Sequence, residues 1–332
     1  MLGVRVRALD AQRVKRELKE SGALDTSKKA RREGEFVVFP VLQEVEGFES
    51  IETEFDEFEG HKKFRDVLRE KLTEEETALA KRAFDVIGDI AIIEVPQELE
   101  KHESTIAKAL MGAHNNIRSV YKKSGDISGE ERVRELKFLA GEDKTETIYK
   151  EHGMNLKLDV STVYFSPRLS AERERILAQT KSGEVVVDLF AGIGPFAILL
   201  AKNRDIKVHA IDVNESAFEY LKENIRINKV ADKVTPLLGD CREAAPKGEA
   251  TRVIMNLPKS SSEFLDTAFD VIKEGVINYY AISREEDLYD SKIDFIEKIA
   301  KEKGRIIKIM NKKIVRPYAP YTYHIVIDIG VK

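Results

Sequence analysis

The second half of the chain alternates between strand-like and helix-like segments, and this alternation constrains the fold more than any other feature. Such a series predicts a doubly wound parallel sheet. The last two strands are joined by a short proline-containing turn with no helix, so they are predicted to pair antiparallel at the sheet edge. The predicted order is strand 184–190, helix 195–203, strand 207–212, helix 214–228, strand 234–238, strand 252–257, helix 261–273, strand 276–282, helix 287–303 and strands 305–313 and 322–330.

The first strand of this series leads into a glycine turn that is typical of ligand-binding α/β proteins. Gly192 and Gly194 allow the backbone to approach a ligand closely, and Pro195 suits the first position of the following helix. Twenty residues beyond Gly192, Asp212 ends the next strand, where a carboxylate would grip a ribose diol. The turn therefore predicts a nucleoside-containing ligand, although a turn without ligand remains an alternative.

The charge around the turn favours one ligand over another. Asp188 would repel the pyrophosphate of a dinucleotide, and Ala197 stands where a dinucleotide fingerprint has its third glycine. S-adenosylmethionine has no phosphate and carries two cationic groups that a carboxylate would attract. A parallel sheet closed by one antiparallel hairpin is also typical of methyltransferases that use this cofactor.

Open α/β sheets bind ligands outside the carboxyl ends of their strands, so the residues at those ends are the candidate site. Asp240 and Cys241 end the third strand and are predicted to meet the adenine. Asn256, Leu257 and Pro258 end the fourth strand, where a methyl group would leave, although Asn-x-Pro is also common in ordinary turns. Lys259 replaces the aromatic residue expected in enzymes that methylate exocyclic amines, so such a target is disfavoured.

A second group of candidate residues lies at the start of the helix that enters this domain. Ser166 and Pro167 are predicted to begin the helix, and Tyr164 precedes them. Arg168 and Glu172 stand four residues apart on one face, with Arg173 beside them. An ordinary ion pair between Arg168 and Glu172 is the alternative to a catalytic role.

The length of 332 residues predicts two or three domains. One cysteine and no apolar run of membrane-spanning length predict a cytosolic protein without membrane contact. The formal net charge is −4, but residues 1–34 carry ten basic and five acidic side chains, residues 35–60 carry nine acidic and no basic ones, and residues 305–316 carry five basic and no acidic ones. This segregation leaves basic segments for nucleic acid.

The first half of the chain predicts two smaller α+β modules. Residues 1–60 contain a helix at 10–21 and strands at 35–40 and 51–55, followed by a charged linker from 57 to 63. Thr73 and Glu76 form a capping-box pattern for a helix through Arg82. Between 85 and 160, strands outnumber helices. Residues 85–95 are predicted to form a strand pair or one bent strand around Gly88, residues 96–115 a helix, and residues 117–122, 132–139, 145–150 and 154–160 four strands. Their turns gather a basic cluster, for which RNA binding and a solvated strand edge remain equal alternatives: Arg118, Lys122, Lys123, Arg132, Arg134 and Lys137.

Four motifs in matching order carry a resemblance that covers essentially the whole chain. They are Arg132-Val-Arg with Leu139-Ala-Gly-Glu, Val163-Tyr-Phe-Ser-Pro-Arg-Leu-Ser-Ala-Glu-Arg, Asp188-Leu-Phe-Ala-Gly-Ile-Gly-Pro-Phe, and Asn256-Leu-Pro. The chain resembles the archaeal tRNA guanosine-37 N1-methyltransferase family. The resemblance implies a tRNA-contacting domain at 1–60, an RNA-binding domain at 61–160 and a doubly wound, Rossmann-like methyltransferase domain at 161–332.

The resemblance also implies roles for individual residues. Glu172 would be the general base, Arg132 would contact the guanine O6, Asn256 would contact the base or cofactor, and Tyr164 would place the flipped base. The turn and the resemblance together predict a site for S-adenosylmethionine lined by Arg173, Asp188, Phe190, Gly192, Gly194, Asp212, Val213, Asp240, Cys241, Asn256 and Pro258. No metal site is predicted.

The chemistry of guanine agrees with this assignment, because its N1 carries a proton at neutral pH and needs a base before methylation. The expected partner is tRNA, bound at its anticodon loop and outer corner by a monomer. One alternative is methyl or aminocarboxypropyl transfer to a tricyclic wyosine-type nucleoside at the same position, against which Glu172 and the intact Asn-Leu-Pro weigh. Another is an RNA-binding module that only senses the cofactor, but such a module needs no carboxylate aimed at the methyl group.

Overall fold

The structure is a computed structural model that describes residues 1–57, 64–80, 84–124 and 135–332. The chain divides into two compact units, one comprising Met1–Thr77 with Gly112–His114 and the other Ala78–Met111 with Asn115–Lys332. Three predictions lie partly outside the described residues: the linker after 57, the helix end at Arg82 and the strand start at Arg132.

The first unit contains a four-stranded antiparallel sheet and one long amphipathic helix. The strands β1 (Leu2–Arg7), β2 (Arg31–Glu33), β3 (Phe36–Pro40) and β4 (Glu49–Glu52) lie in the order β2-β3-β1-β4, and α1 spans Ala11–Glu20. Val14 and Leu18 of α1 pack into the core, so the predicted helix is confirmed. The strand predicted at 51–55 ends earlier, at Glu52, and beyond it Phe55 packs over Gly3, where a Cβ would lie 2.6 Å from the phenyl ring.

Two short helices follow, α2 (Phe64–Arg69) and α3 (Glu74–Leu79). The Glu76 N–H donates to the Thr73 hydroxyl at 3.2 Å, and the Thr73 N–H donates to the Glu76 carboxylate at 3.1 Å. These reciprocal bonds satisfy donors that a helix start leaves unpaired. The predicted capping box is therefore confirmed.

The second unit begins with a four-stranded mixed sheet of order β5-β6-β7-β8, in which only β6 and β7 are parallel. The predicted strand pair around Gly88 is confirmed. The helix predicted from 96 is divided into a 3₁₀ turn at Gln97–His102 and α4. The bounds are β5 Asp85–Ile87, β6 Ile90–Ile93, α4 Glu103–Ala113, β7 Ser119–Lys123 and β8 Leu136–Gly141.

The rest of the second unit is dominated by one seven-stranded sheet. After the hairpin strands β9 and β10, a 3₁₀ turn at Pro167–Leu169 leads into α5, and the alternating series follows. The bounds are β9 Glu146–Glu151, β10 Met154–Asp159, α5 Ser170–Gln179, β11 Val185–Asp188, α6 Pro195–Asn203, β12 Lys207–Asp212, α7 Glu215–Ile227, β13 Val234–Leu238, α8 Cys241–Ala244, β14 Ala250–Met255, α9 Leu265–Val271, β15 Ile272–Arg284, α10 Asp290–Glu302, β16 Ile307–Ala319 and β17 Thr322–Val331.

The strand order is β13-β12-β11-β14-β15-β17-β16. The pairs from β13 to β15 are parallel, whereas β17 lies antiparallel between β15 and the edge strand β16. The predicted doubly wound sheet with an antiparallel closing hairpin is therefore confirmed. Alternate residues enter two separate cores, with Val186 and Tyr280 on one face and Val187 and Tyr279 on the other.

The β9-β10 hairpin is fastened to α7 by two asparagine side chains. Asn224 exchanges two hydrogen bonds with the backbone of Lys157, at 2.7 and 2.9 Å, and Asn228 does the same with Asn155, at 3.0 and 2.7 Å. Leu156 and Leu158 join the core beside the helix. The hairpin is thus packed as part of the domain that holds the seven-stranded sheet.

Candidate active site

The carboxyl ends of β11, β12, β13 and β14 form one edge of the sheet, which we call the strand-end edge. At its centre is the turn after β11, where Gly192 and Gly194 have φ angles of 56° and 90° that favour glycine. A Cβ on Gly194 would lie 2.5 Å from Leu221, so this glycine is also needed for helix packing. Gly192 has open space, which keeps its backbone accessible to a ligand.

Asp188 lies at the end of β11 with only 1% of its surface exposed. Neither carboxylate oxygen has a hydrogen bond of ordinary geometry within the described residues. Burial raises the pKa of Asp188 to about 7, the Phe190 N–H opposes this increase, and the Asp212 charge adds to it. A buried, uncompensated carboxylate is costly, and a cationic ligand group would compensate it.

Asp212 is fixed by the backbone around it. Its carboxylate accepts hydrogen bonds from the Gly192 N–H at 2.6 Å and the Asn214 N–H at 3.0 Å. The next residue, Val213, leaves 53% of its surface exposed. A fixed carboxylate beside an exposed apolar side chain is suited to hold a ribose next to a flat aromatic base.

Asp240 and Cys241 lie together after β13, at the start of α8. Asp240 caps this short helix and pairs with Arg242, which lowers the pKa of Asp240. The thiol of Cys241 is buried in the core, and burial together with the Asp240 charge raises its pKa to about 12. A thiol in this environment stays protonated and packs as an apolar group.

Phe190 and the Asn256-Leu257-Pro258 turn complete the strand-end edge. The ring of Phe190 stands edge-on to Phe264, with 5.1 Å between centroids. The Ser261 hydroxyl donates to the Leu257 carbonyl at 2.8 Å, and the Ile282 N–H donates to the Pro258 carbonyl at 3.1 Å. These bonds fix the backbone from which the Asn256 side chain projects.

Tyr164 and α5 lie beside the glycine turn. A Cβ built on Gly192 would have the Tyr164 carbonyl oxygen as its nearest neighbour, at 3.9 Å. Two turns further on, Glu172 is 3% exposed, and its carboxylate accepts hydrogen bonds from Arg175 and from the Tyr280 hydroxyl. The predicted alternative of an Arg168–Glu172 pair is wrong, because Arg168 instead bonds Asp85 at 2.6 Å.

Arg173 is held inside the protein by an ion pair with Glu151. Both contacts are 2.6 Å long, and the same guanidinium donates to the Ser166 carbonyl at 3.3 and 3.4 Å. With 1% exposure, the side chain is fully used by these partners. This geometry therefore does not support the predicted direct contact between Arg173 and the cofactor.

Arg132 and Arg134 lie outside the described residues, so the role of Arg132 remains a prediction. Within the described part of the basic cluster, each lysine forms an ion pair with a glutamate side chain. Lys122 bonds Glu100 at 2.7 Å, Lys123 bonds Glu94 at 2.8 Å, and Lys137 pairs with Glu103. For these three lysines the structure favours an ion-paired strand edge over an RNA surface.

Three residues of the site region were not predicted from the sequence: Arg175, Tyr280 and Asp328. One signal could have identified the last of them, because Asp328 interrupts the apolar run of β17. Within the described residues, no cluster of His, Cys, Asp or Glu is arranged to hold a metal ion. No described helix is long and apolar enough to cross a membrane.

The tRNA (guanine(37)-N(1))-methyltransferase Trm5b of Pyrococcus abyssi is 44% identical to this chain over 99% of both. The chain belongs to the tRNA (guanine(37)-N(1))-methyltransferase family. The Trm5b of Methanocaldococcus jannaschii is 37% identical over 99% of this chain and 98% of its own. Family models match as the tRNA methyltransferase 5 N-terminal domain at 3–49, the TYW2 N-terminal domain at 64–145 and the TRM5/TYW2 methyltransferase domain at 147–309.

Solved structures of this methyltransferase family have the same fold. The crystal structure of Trm5b from Pyrococcus abyssi superposes with a TM-score of 0.76, covering 100% of this chain and 99% of that one at 44% identity. The complex of aTrm5 and tRNALeu superposes with a TM-score of 0.75 at 35% identity, covering both chains fully. Trm5 of Methanocaldococcus jannaschii in complex with adenosine gives 0.69 at 35% identity, covering 100% of this chain and 99% of that one.

A related enzyme class is also similar to this chain. A tRNA(Phe) (4-demethylwyosine(37)-C(7)) aminocarboxypropyltransferase of Pyrococcus horikoshii is 33% identical over 81% of this chain and 96% of its own. The methyltransferase family is matched over nearly the whole chain, whereas this relative covers a smaller share.

Proposed function

We propose that the protein transfers a methyl group from S-adenosylmethionine to N1 of guanosine 37 in tRNA. The observation that carries this proposal is Asp188 beside the glycine turn, a buried carboxylate whose oxygens have no hydrogen bond of ordinary geometry within the described residues, which is suited to a cationic nucleoside cofactor. Asp212 would hold the ribose and Val213 the adenine, with Asp240 and Cys241 at its edge. The remaining cofactor contacts are proposed at Phe190, Gly192, Gly194, Asn256 and Pro258.

The protein must remove a proton before guanine can react at N1. Glu172 would accept this proton, and Arg132 would donate a hydrogen bond to O6, where the negative charge develops. Asn256 and Tyr164 would hold the base between them. When bound, S-adenosylmethionine supplies the electrophilic methyl group.

The tRNA target lies in a loop, where a base is extruded at low cost into a pocket. We propose that residues 1–60 contact the outer corner of tRNA, that residues 61–160 bind RNA, and that residues 161–332 methylate it together with the β9-β10 hairpin that packs against α7. The full-length similarity to Trm5b enzymes, including residues 3–49, favours this activity over wyosine-type transfer. A monomeric state and a cytosolic location, consistent with the single buried Cys241, are part of this proposal.

Mass spectrometry of nucleosides tests the activity directly. An unmodified tRNA transcript with guanosine at position 37, incubated with enzyme and S-adenosylmethionine, should yield 1-methylguanosine. A transcript with adenosine at that position is the matched control and should remain unmodified. Failure to form 1-methylguanosine, or an aminocarboxypropyl product on a wyosine precursor alone, would contradict the proposal.

The affinity for S-adenosylmethionine should rise with pH up to about 7 and then level off. Asp188 has a raised pKa of about 7 in the free protein, and a cationic ligand favours its ionised form, so binding below this pH must displace a proton. Calorimetry below about pH 7.5, where the amino group of the ligand stays charged, should give up to tenfold tighter binding per pH unit. The Asp188→Asn variant should lose this dependence, and an identical pH profile in that variant would exclude Asp188.

Binding of tRNA should weaken steeply with salt, and α1 should carry part of this dependence. Lys15, Arg16 and Lys19 are exposed and form no ion pair within the described residues. If each meets a phosphate, replacing all three with alanine should reduce the slope of log affinity against log salt by about 2–3. Lys122→Ala is the control, because Glu100 already neutralises that lysine, and its slope should match that of the wild type. An unchanged slope in the triple variant would remove α1 from the interface.

A further inference from the structure

A largely buried polar cluster lies between α5 and the sheet, among otherwise apolar side chains. We define this buried cluster by Glu172, Arg175, Tyr280, Asn278 and Asp328. Four of these residues expose 3% of their surface or less, and Arg175 is largely enclosed. The proposed chemistry uses only Glu172, so the other four require an explanation of their own.

The two oxygens of the Glu172 carboxylate are bonded unequally. Oε1 accepts from Arg175 Nε at 3.0 Å, from Arg175 Nη2 at 2.7 Å and from the Tyr280 hydroxyl at 2.7 Å. Oε2 accepts only from Arg175 Nε, at 2.9 Å, within the described residues. A carboxylate has about two acceptor sites on each oxygen, so Oε1 is saturated and Oε2 keeps a free one.

We propose that Oε2 of Glu172 is the atom that takes the N1 proton, and that Tyr280 and Arg175 are positioning residues that aim it. This inference rests on the proposed function. The N1–H bond breaks, the proton passes to Oε2, and the electron pair left on the guanine is shared with O6. N1 then forms its bond to the methyl carbon as the carbon–sulfur bond breaks, and the electron pair of that bond stays on the sulfur of the leaving S-adenosylhomocysteine.

The buried cluster contains more negative than positive charge. Arg175 also bonds Asp328, at 2.6 and 3.2 Å, so one guanidinium faces two carboxylates. Burial by itself would raise the pKa of Asp328. Its hydrogen bonds to Arg175, Gln179 and Asn278 lower the pKa by more, so Asp328 has a pKa below its ordinary value and stays ionised. The buried cluster therefore carries a formal charge of −1, and a proton on Glu172 makes it neutral.

Three further ionisable groups lie around the buried cluster. Burial and the nearby Glu172 charge raise the pKa of Tyr280 well above its ordinary value, so its hydroxyl remains a donor. The His324 ring lies 5.6 Å from the Tyr280 ring, between centroids. Arg252 reaches Asn278 at 3.1 Å but is paired with Glu184 at 2.7 Å. Within the described residues, Oε2 of Glu172 keeps an unused acceptor site beside these groups.

Tyr280→Phe tests this arrangement, because it removes one hydroxyl and little volume. Loss of a donor makes a carboxylate hold its proton more tightly. The midpoint of the single-turnover rate against pH should move up by about one unit, so the rate below the midpoint should fall about tenfold and recover at higher pH. The Kd values for S-adenosylmethionine and tRNA should stay at wild-type levels. Tyr279→Phe, a buried tyrosine on the other face of the sheet, is the matched control and should leave the profile unchanged.

Arg175→Lys is the second variant, and it keeps the charge while losing the paired donors. It should also raise the midpoint of the pH–rate profile without changing the Kd for S-adenosylmethionine or for tRNA. This variant tests the same inference if Tyr280→Phe does not fold. A wild-type midpoint in a folded variant would overturn the positioning role. If the wild-type enzyme forms 1-methylguanosine and the midpoints do not move, only this inference fails. If the wild type forms no 1-methylguanosine, the proposed function fails first.

Discussion

Glu172→Gln is expected to lower the single-turnover rate of methyl transfer by about 10²–10⁴-fold, the usual contribution of a positioned general base. An amide cannot take the N1 proton, yet it has nearly the same shape as the carboxylate. Arg175 would keep its bonds to Asp328, so the helix should stay in place. The Kd values for S-adenosylmethionine and tRNA should therefore remain close to those of the wild type.

The measurement is a pH–rate profile under single-turnover conditions, which exclude product release. The wild-type rate should climb until Glu172 is deprotonated and then flatten, whereas the variant should lose this step. Glu174→Gln, on the exposed side of the same helix, is the control and should behave as the wild type. A profile of unchanged shape in Glu172→Gln would remove Glu172 from the mechanism, and a loss of binding would indicate a structural ion pair.

Glu151→Ala is expected to lower the free energy of unfolding by about 3–5 kcal/mol, since it leaves the buried guanidinium of Arg173 without its partner. The two side chains are 1% and 4% exposed and are joined by two bonds of 2.6 Å. Urea unfolding followed by far-UV circular dichroism measures the effect. Glu219→Ala removes an exposed ion pair with Lys222 and should cost less than about 0.5 kcal/mol.

The pH dependence of stability gives an independent check on this pair. Burial raises the pKa of Glu151, but the hydrogen bonds and charge of Arg173 lower it by more, so its folded pKa lies below the ordinary value. The pair therefore stabilises the fold above the unfolded pKa and loses this contribution as the pH falls through the folded pKa. The wild type should lose more stability than Glu151→Ala on acidification. Equal losses would show that the pair does not contribute.

The sheet was predictable because each of its elements is a local pattern. Apolar runs and glycine or asparagine caps indicated where strands and helices alternate. The absence of a helix between the last two strands predicted that they form an antiparallel hairpin. β1 was missed because its alternation is short and contains Gly3, and α8 because four residues are too few for a helical period.

The candidate residues at the strand ends could be chosen from the sequence, because the topology brings the carboxyl ends of parallel strands to one edge of the sheet. The partners of Glu172 could not be found in this way. Asp328 bonds Arg175 across 153 positions, and Tyr280 bonds Glu172 across 108. Pairings of this kind depend on how α5 crosses the sheet, which no local pattern encodes. The same holds for the partner of Arg173, because Glu151 lies on a separate hairpin.

The asparagine side chains of α7 determine where the chain can be cut. The side-chain amides of Asn224 and Asn228 form hydrogen bonds with the backbone at the outer edge of β10. They take the place of the peptide groups of a neighbouring strand. A fragment starting at residue 161 would keep both amides but lose their partners, and it would uncover the apolar surface beneath Leu156 and Leu158. The shortest fragment that folds by itself around the cofactor edge must therefore start ahead of Glu146, with the hairpin included.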